Sequence, residues 1–453
     1  MPNSKVTEVI SNFIVDTSFD SFSNEVLDIS KRSFLDWIAV TLGAIKEPAA
    51  RILIDFVEEM GGQKQATILG HGIRTTALNA TFVNGATSHI LDYDDANAET
   101  RNHTSVPIVP VLLALGESRV LGGRDLLTAY VVGAEISTRI GLALGRSYYE
   151  KGWHATSILG RFGAAAGASR LLGLSHRQVL NALGLAATQC GGMRSVFGTM
   201  AKPFHVGKAA MDGMMSAILA QRDFTGPWGV LDSHSEFARL FSTQYDPVHL
   251  TDALGSRYHI LANCFKSYAA CLLLHPVIDG LLSLKTEHDL TPGVIEKIEL
   301  EVAPLCLSVT HKPKVASGTE GKFSIQFSSA LAVARGKVGS REFVDEAVSD
   351  HSIQDVMQKV VVRSNVRLEE TEANMVVHTS DGLRHERHVS VPKGDPKNPL
   401  TFDEILKKFK DLNSETFSEK RIEEIAETIW DLEKLRNTSR LIDLCYPDLI
   451  DGV

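Results

Sequence analysis

The residues with the most chemistry to offer lie between Ser88 and Val120, in SHILDYDDANAETRNHTSVPIVPVLLALGESRV. Asp92, Asp94, Asp95 and His103 stand there beside the apolar run Val106 to Leu115. Carboxylates and an imidazole against dry surface are groups whose pKa values move, which makes this stretch a candidate reaction centre. A polar helix end with its loop has the same residue types, so the rest of the chain has to supply partners.

Four other stretches supply them: Gly152-Trp153-His154, Phe197 to His205 (FGTMAKPFH), Lys266-Ser267-Tyr268 and His275-Pro276. Each sets a titratable residue beside Gly, Pro or an aromatic at an expected helix boundary, where free backbone N–H groups and the helix dipole favour an anion. Together they describe an anion-binding, proton-moving site. Each residue also has an ordinary role available. A histidine among sixteen is more often structural than functional. Lys202 can be a loop charge, Lys208 a solvated one, Tyr268 a core residue, and Asp94 and Asp95 helix caps.

Asp92-Tyr93-Asp94-Asp95 resembles a cation loop only superficially, because adjacent acids on a helix diverge and the later Gly and Glu of a calcium loop are missing. No metal is expected. No Walker loop, dinucleotide glycine motif or nucleophile elbow is present, so no nucleotide cofactor is expected either.

The elements that must position these residues are mainly helical. Apolar residues recur at helical spacing from the start to about residue 265, as in Val26 to Leu42, Leu126 to Ile140 and Ser157 to Leu174. The last of these, SILGRFGAAAGASRLLGL, has small residues on successive turns and suits a central, closely packed helix. Ser175 with Gln178 reads as a capping box. Beyond Cys264 the pattern changes: Val294 to Val302 alternates apolar and charged, and Asn374 to Val391 reads as a hairpin around Ser380-Asp381-Gly382. Helical stretches at Gly321 to Ala334 and Ser340 to Val360 lie between them, giving an inserted α+β unit of residues 266–395. Residues 396–453 return to helix and are expected to rejoin residues 1–265.

A chain of 453 residues is long enough for two or three domains at about 150 residues each. The net charge of -9, without a basic block, argues against nucleic acid or an anionic membrane as partner. No window approaches the roughly 20 apolar residues of a membrane span, so a soluble cytoplasmic protein is expected. Five scattered cysteines with no C-x-x-C pair give no disulfide framework, thiolate zinc site or closely ligated iron–sulfur cluster.

The order LDYDD with HTS from His103, GWH at His154, GTMAKPFHVG around Lys202, KSYAACLLLHP from Lys266 and GKFSIQFS from Gly321 resembles the MmgE/PrpD family across nearly the whole chain. The family includes 2-methylcitrate dehydratase, cis-aconitate decarboxylase and iminodisuccinate epimerase. The resemblance implies a mainly α fold: a large helical domain from both chain ends, an inserted α+β lid, a homodimer and a metal-independent site between the domains. It places Asp92, His103, His154, Lys202 and His275 on active-site positions, with His205, Lys266 and Tyr268 as substrate-binding candidates.

Two departures fall on the substrate side: Ala96 where many relatives have Thr, and Thr104 where they have Pro. Asn97 to Asn102 is also one residue longer than in the decarboxylases. A carbanion next to a carboxylate needs positive charge against that carboxylate. Lys202 and a protonated His103 or His154 would supply the charge, a second histidine the base, and Asp92 would orient or charge-stabilise an imidazole. Dehydration of a small polycarboxylate is the leading expectation and epimerisation the runner-up, with decarboxylation using the same groups. A metabolite-binding relic without chemistry is the alternative of another class. His103→Ala or Lys202→Ala is expected to abolish turnover while leaving stability within about 1 kcal/mol.

Overall fold

The computed structural model describes residues 6–449, so the extreme ends of the first and last expected segments, 1–5 and 450–453, lie outside the described residues. Helix α1, Asn24–Gly43, starts where the Ser23 hydroxyl accepts the Val26 N–H, and it buries Phe34, Trp37, Ile38 and Leu42. Helices α2 (Ser105–Arg119), α3 (Gly123–Leu144), α4 (Ala155–Leu171), α5 (His176–Thr188) and α6 (Ala201–Gln221) build the bundle onto it.

The small-residue helix α4 lies at the centre. A Cβ on Gly133 of α3 would come within 2.6 Å of the Gly163 carbonyl, and one on Gly213 of α6 within 2.6 Å of the Arg161 carbonyl. Backbones thus approach α4 from both sides, which larger side chains would prevent. The capping box opens α5, with Gln178 N–H on the Ser175 hydroxyl and Ser175 N–H on Gln178 Oε1 at 3.0 Å. Helix α3 departs from the expectation about apolar windows: by length and composition it could cross a membrane. That stretch is 94% buried within the protein, and it carries the buried Arg139–Glu135 pair at 2.6 Å.

The second unit carries a four-stranded sheet of β3 (Ile295–Val302), β4 (Val360–Ser364), β5 (Ala373–Thr379) and β6 (Arg384–Val389), numbered after the two-residue pair β1 (Ala96–Asn97) and β2 (Asn263–Cys264). The strand order is β4-β3-β5-β6; β3 and β4 are parallel with Ile298 opposite Val360, and the other pairs are antiparallel. The expected hairpin forms, with Gly382 at φ +83° in its turn. Helices α7 (His275–His288), α8 (Ile325–Arg335) and α9 (His351–Lys359) share a core with the sheet's buried Ile298, Leu300, Met375 and Val377. The helix expected from Gly321 is broken at Lys322-Phe323, because Ser324 caps a new helix through the Phe327 N–H.

Helices α10 (Phe402–Asn413) and α11 (Glu419–Trp430) share a core with α1, so Ile405, Phe409, Ile422 and Ile425 pack with Phe34, Trp37 and Leu42. Lys408 of α10 reaches beneath the acidic stretch. Its ammonium donates to Asp36 Oδ1 at 2.7 Å and to the Tyr93 and Lys266 carbonyls at 2.6 and 3.1 Å.

Candidate active site

A cavity of about 300 Å³ is lined by Asp92, His103, His154 and Lys202 from the helical part and by Lys266, Cys271 and Phe323 from the segments that lead into the sheet unit. The volume suits a small metabolite. Five of the eight residues singled out from sequence therefore meet on one cavity. His205, Tyr268 and His275 do not line it.

Asp92 lies at its floor in a left-handed turn, φ +52°. Its Oδ1 accepts from Lys202 Nζ at 2.6 Å and from Lys266 Nζ at 2.8 Å, and its own carbonyl also accepts from Lys266 at 2.8 Å. Lys322 holds the preceding turn through the Leu91 carbonyl at 2.9 Å. Burial works against the Asp92 charge, but the two ammonium groups outweigh it and hold the carboxyl far below the usual carboxylate range. Burial likewise opposes the charge of Lys266, yet Asp92 and Asp94 keep its pKa raised. Two cations against one carboxylate leave surplus positive charge at the floor. The second oxygen of Asp92 is buried without a partner.

Asp94, not Asp92, is hydrogen-bonded to the imidazoles, which corrects the orienting role expected of Asp92. Its Oδ2 lies 2.6 Å from His103 Nδ1 and its Oδ1 2.9 Å from His89 Nδ1, with the carboxylate wholly buried. Fixing His103 at Nδ1 leaves Nε2 as the ring nitrogen for a ligand. His89 stands edge-on to His103 at a ring separation of 4.6 Å; burial pushes its pKa down to about 4, so it is neutral at pH 7. His154, at the N-cap of α4, has its Nδ1 3.2 Å from Nδ1 of His205 on α6. Burial and the Lys202 ammonium hold His154 well below the ordinary histidine value. His205 thus stands behind a wall residue and touches the cavity through it.

Asp95 has a structural task. It accepts the Ser105 N–H at the start of α2, the Ser105 hydroxyl at 2.6 Å and the Asn263 amide at 3.0 Å. Thr104, one of the two departures, belongs to this network and accepts from Asn263 at 2.9 Å. Ala96, the other, lines the cavity and leaves no hydroxyl there.

His275 is fully buried at the start of α7, and neither ring nitrogen has a hydrogen-bond partner. Burial pushes its pKa down to about 3. It packs edge-on against Tyr268, whose hydroxyl donates to Asp279. Neither of the two lines the cavity. Cys271, Leu272 and Leu273, just ahead of α7, are the residues of that segment that line the cavity. His89, Asp94 as orienter and Cys271 were missed. The first two lay within the opening stretch, but nothing in their spacing revealed a shared hydrogen bond, and a lone cysteine carries no signal of its own. Lys208, read as solvated, pairs with Asp212.

His89, Asp94 and His103 are also a set of metal-ligand atom types within 4.8 Å of one another. Each nitrogen is already hydrogen-bonded to its own carboxylate oxygen, which accounts for their closeness.

Residues 8–249 match the MmgE/PrpD N-terminal domain and residues 268–432 the MmgE/PrpD C-terminal domain. The chain belongs to the MmgE/PrpD family. Its similarity to curated members runs end to end. It is 26% identical to the cis-aconitate decarboxylase-like protein oryM of Aspergillus oryzae, over 99% of this chain and 98% of that protein. It is 24% identical to the cis-aconitate decarboxylase of Aspergillus terreus, over 97% and 96%, and 26% identical to that of Mus musculus, over 97% and 93%. The mainly helical fold agrees with membership of the family.

Proposed function

We propose that the protein is a lyase that moves a proton at a carbon next to a carboxylate in a small polycarboxylate, without a metal. The observation that carries this is the cavity floor: two ammonium groups sharing one carboxylate, beside an imidazole held by a buried aspartate. The surplus cation would take a substrate carboxylate and stabilise the charge that develops on it. His103 Nε2 would accept or deliver the proton, while Asp94 fixes its tautomer and supports the imidazolium. His154, neutral, would hydrogen-bond the substrate or serve as the opposing acid–base group.

Decarboxylation leads among the possible outcomes because the similar curated proteins are cis-aconitate decarboxylases. In that reaction the bond from carbon to carboxylate breaks, carbon dioxide leaves, and the electron pair retained on carbon takes a proton from His103. Dehydration of a 2-methylcitrate-like substrate, the leading expectation from sequence, and epimerisation of an iminodisuccinate-like one would use the same groups and differ in product. An open cavity with its charged groups converged speaks against a binding relic. A homodimer belongs to the same reading, and sedimentation measures it.

The test is incubation of purified protein with cis-aconitate, 2-methylcitrate and iminodisuccinate in deuterium oxide, followed by NMR. A product from one substrate, with deuterium at the carbon next to a carboxylate, is expected. Absence of both product and exchange with all three would sink the proposal.

A further inference from the structure

Besides the floor residues, the cavity is lined by Arg101 and Arg146 together with Glu99, Glu369 and Glu370, a mixed-charge cluster that the floor chemistry does not use. Arg101 lies in the segment Asn97 to Asn102, at φ +56°, a left-handed backbone conformation uncommon outside glycine. The turn is tied down: Arg101 N–H donates to the Asn97 carbonyl at 2.8 Å, Asn97 N–H to the Asn102 carbonyl at 2.8 Å, and Asn97 Oδ1 accepts from Glu99 N–H at 3.1 Å. Its guanidinium lies over the Tyr149 ring at 5.4 Å. Across the cavity mouth, the connection between β4 and β5 presents Glu370, and Arg101 grips it in a fork, with Nε 2.9 Å from Oε2 and Nη2 on the same carboxylate. Arg146 stands 3.4 Å from its other oxygen. Arg101, Arg146 and Glu370 all line the cavity.

A forked guanidinium–carboxylate contact is the geometry by which arginine recognises any carboxylate. We propose that Arg101 is the specificity-determining residue for the substrate carboxylate furthest from the reacting carbon, and that Glu370 occupies the guanidinium until that carboxylate replaces it. Cations at both ends of one small cavity fit a substrate with carboxylates at both ends. This inference rests on the polycarboxylate reading above and adds to it which residue measures the substrate's length.

The experiment is calorimetric binding of tricarballylate and of methylsuccinate, which differ only in one terminal carboxylate, to the wild type and to Arg101→Gln, Arg101→Lys and Glu370→Gln. The wild type should prefer tricarballylate by on the order of tenfold or more. Arg101→Gln should bring the two affinities together. Arg101→Lys, which keeps the charge without the fork, should narrow the gap and serves if the Gln variant does not fold. Glu370→Gln should bind tricarballylate more tightly and methylsuccinate as before. A preference retained in both Arg101 variants, or weaker tricarballylate binding in Glu370→Gln, would overturn the assignment while the wild-type exchange assay still stood. Binding of neither ligand together with no exchange would remove both readings.

Discussion

Asp94 Oδ2 lies 2.6 Å from His103 Nδ1, the carboxylate wholly buried and the imidazole on the cavity wall. In such a dyad the buried acid decides which ring nitrogen meets the substrate. Asp94→Asn keeps the shape but can offer an N–H where the ring needs an acceptor. It is expected to lower kcat by roughly two to four orders of magnitude with KM changed far less. Steady-state kinetics on the substrate found by NMR checks this, and an unchanged kcat would reduce Asp94 to a packing role.

His103→Ala and Lys202→Ala should both abolish turnover and both cost stability, which the sequence did not foresee. His103→Ala leaves the wholly buried Asp94 carboxylate with the neutral His89 alone. The Lys202 side chain is 6% exposed and bonded to Asp92, so its removal leaves that buried carboxylate with Lys266 alone. A loss of about 3 kcal/mol is expected, the low end for breaking a buried pair. Urea unfolding of both variants measures the losses.

His275 links stability to pH. Its folded pKa, about 3, lies below the roughly 6.5 of an unfolded histidine. The unfolded chain therefore takes up the proton first, and acid favours unfolding between those values at about 1.4 kcal/mol per pH unit. The contribution is fully present above pH 6.5 and falls away below it. His275→Leu should flatten the decline in stability between pH 6.5 and 4 while kcat stays within a few-fold of wild type. Denaturation midpoints at pH 5.0 and 7.5 test the first point. A hundredfold fall in kcat would return His275 to the site.

Arg139 tests the scaffold. It is fully buried on α3, pairs with Glu135 at 2.6 Å and donates to the carbonyls of His249, Asp252 and Arg257 at 2.8–3.0 Å. Arg139→Met would leave Glu135 with the His259 N–H alone and three carbonyls without their donor, at a cost of roughly 3–5 kcal/mol. A stability loss from urea unfolding of less than a third of that would mean water replaces the guanidinium.

The long periodic helices and the hairpin were legible because their apolar spacing is repeated over many residues. The Ser175–Gln178 capping box was legible because it is local. Strand β4 was not, since five residues following a helix carry too little alternation, and the β1–β2 pair is only two residues long. At the site, sequence supplied the charged residues but not their pairing. Asp92 and Asp94 are two residues apart and chemically alike, and only the turn at φ +52° sends one to the lysines and the other to the histidines. His275 was expected at the site from the family resemblance, yet the cavity is lined by the neighbouring Cys271, Leu272 and Leu273 instead.

The reach of Lys408 beneath Tyr93 and Lys266 has a consequence for the order of synthesis. The floor of the cavity is built from Asp92, Lys202 and Lys266, yet the ammonium that satisfies Asp36 and those two carbonyls is made 142 residues after Lys266. A nascent chain holding every cavity residue still lacks this support. Competence to react is thereby deferred until Lys408 has been added, and products truncated ahead of it should be inert.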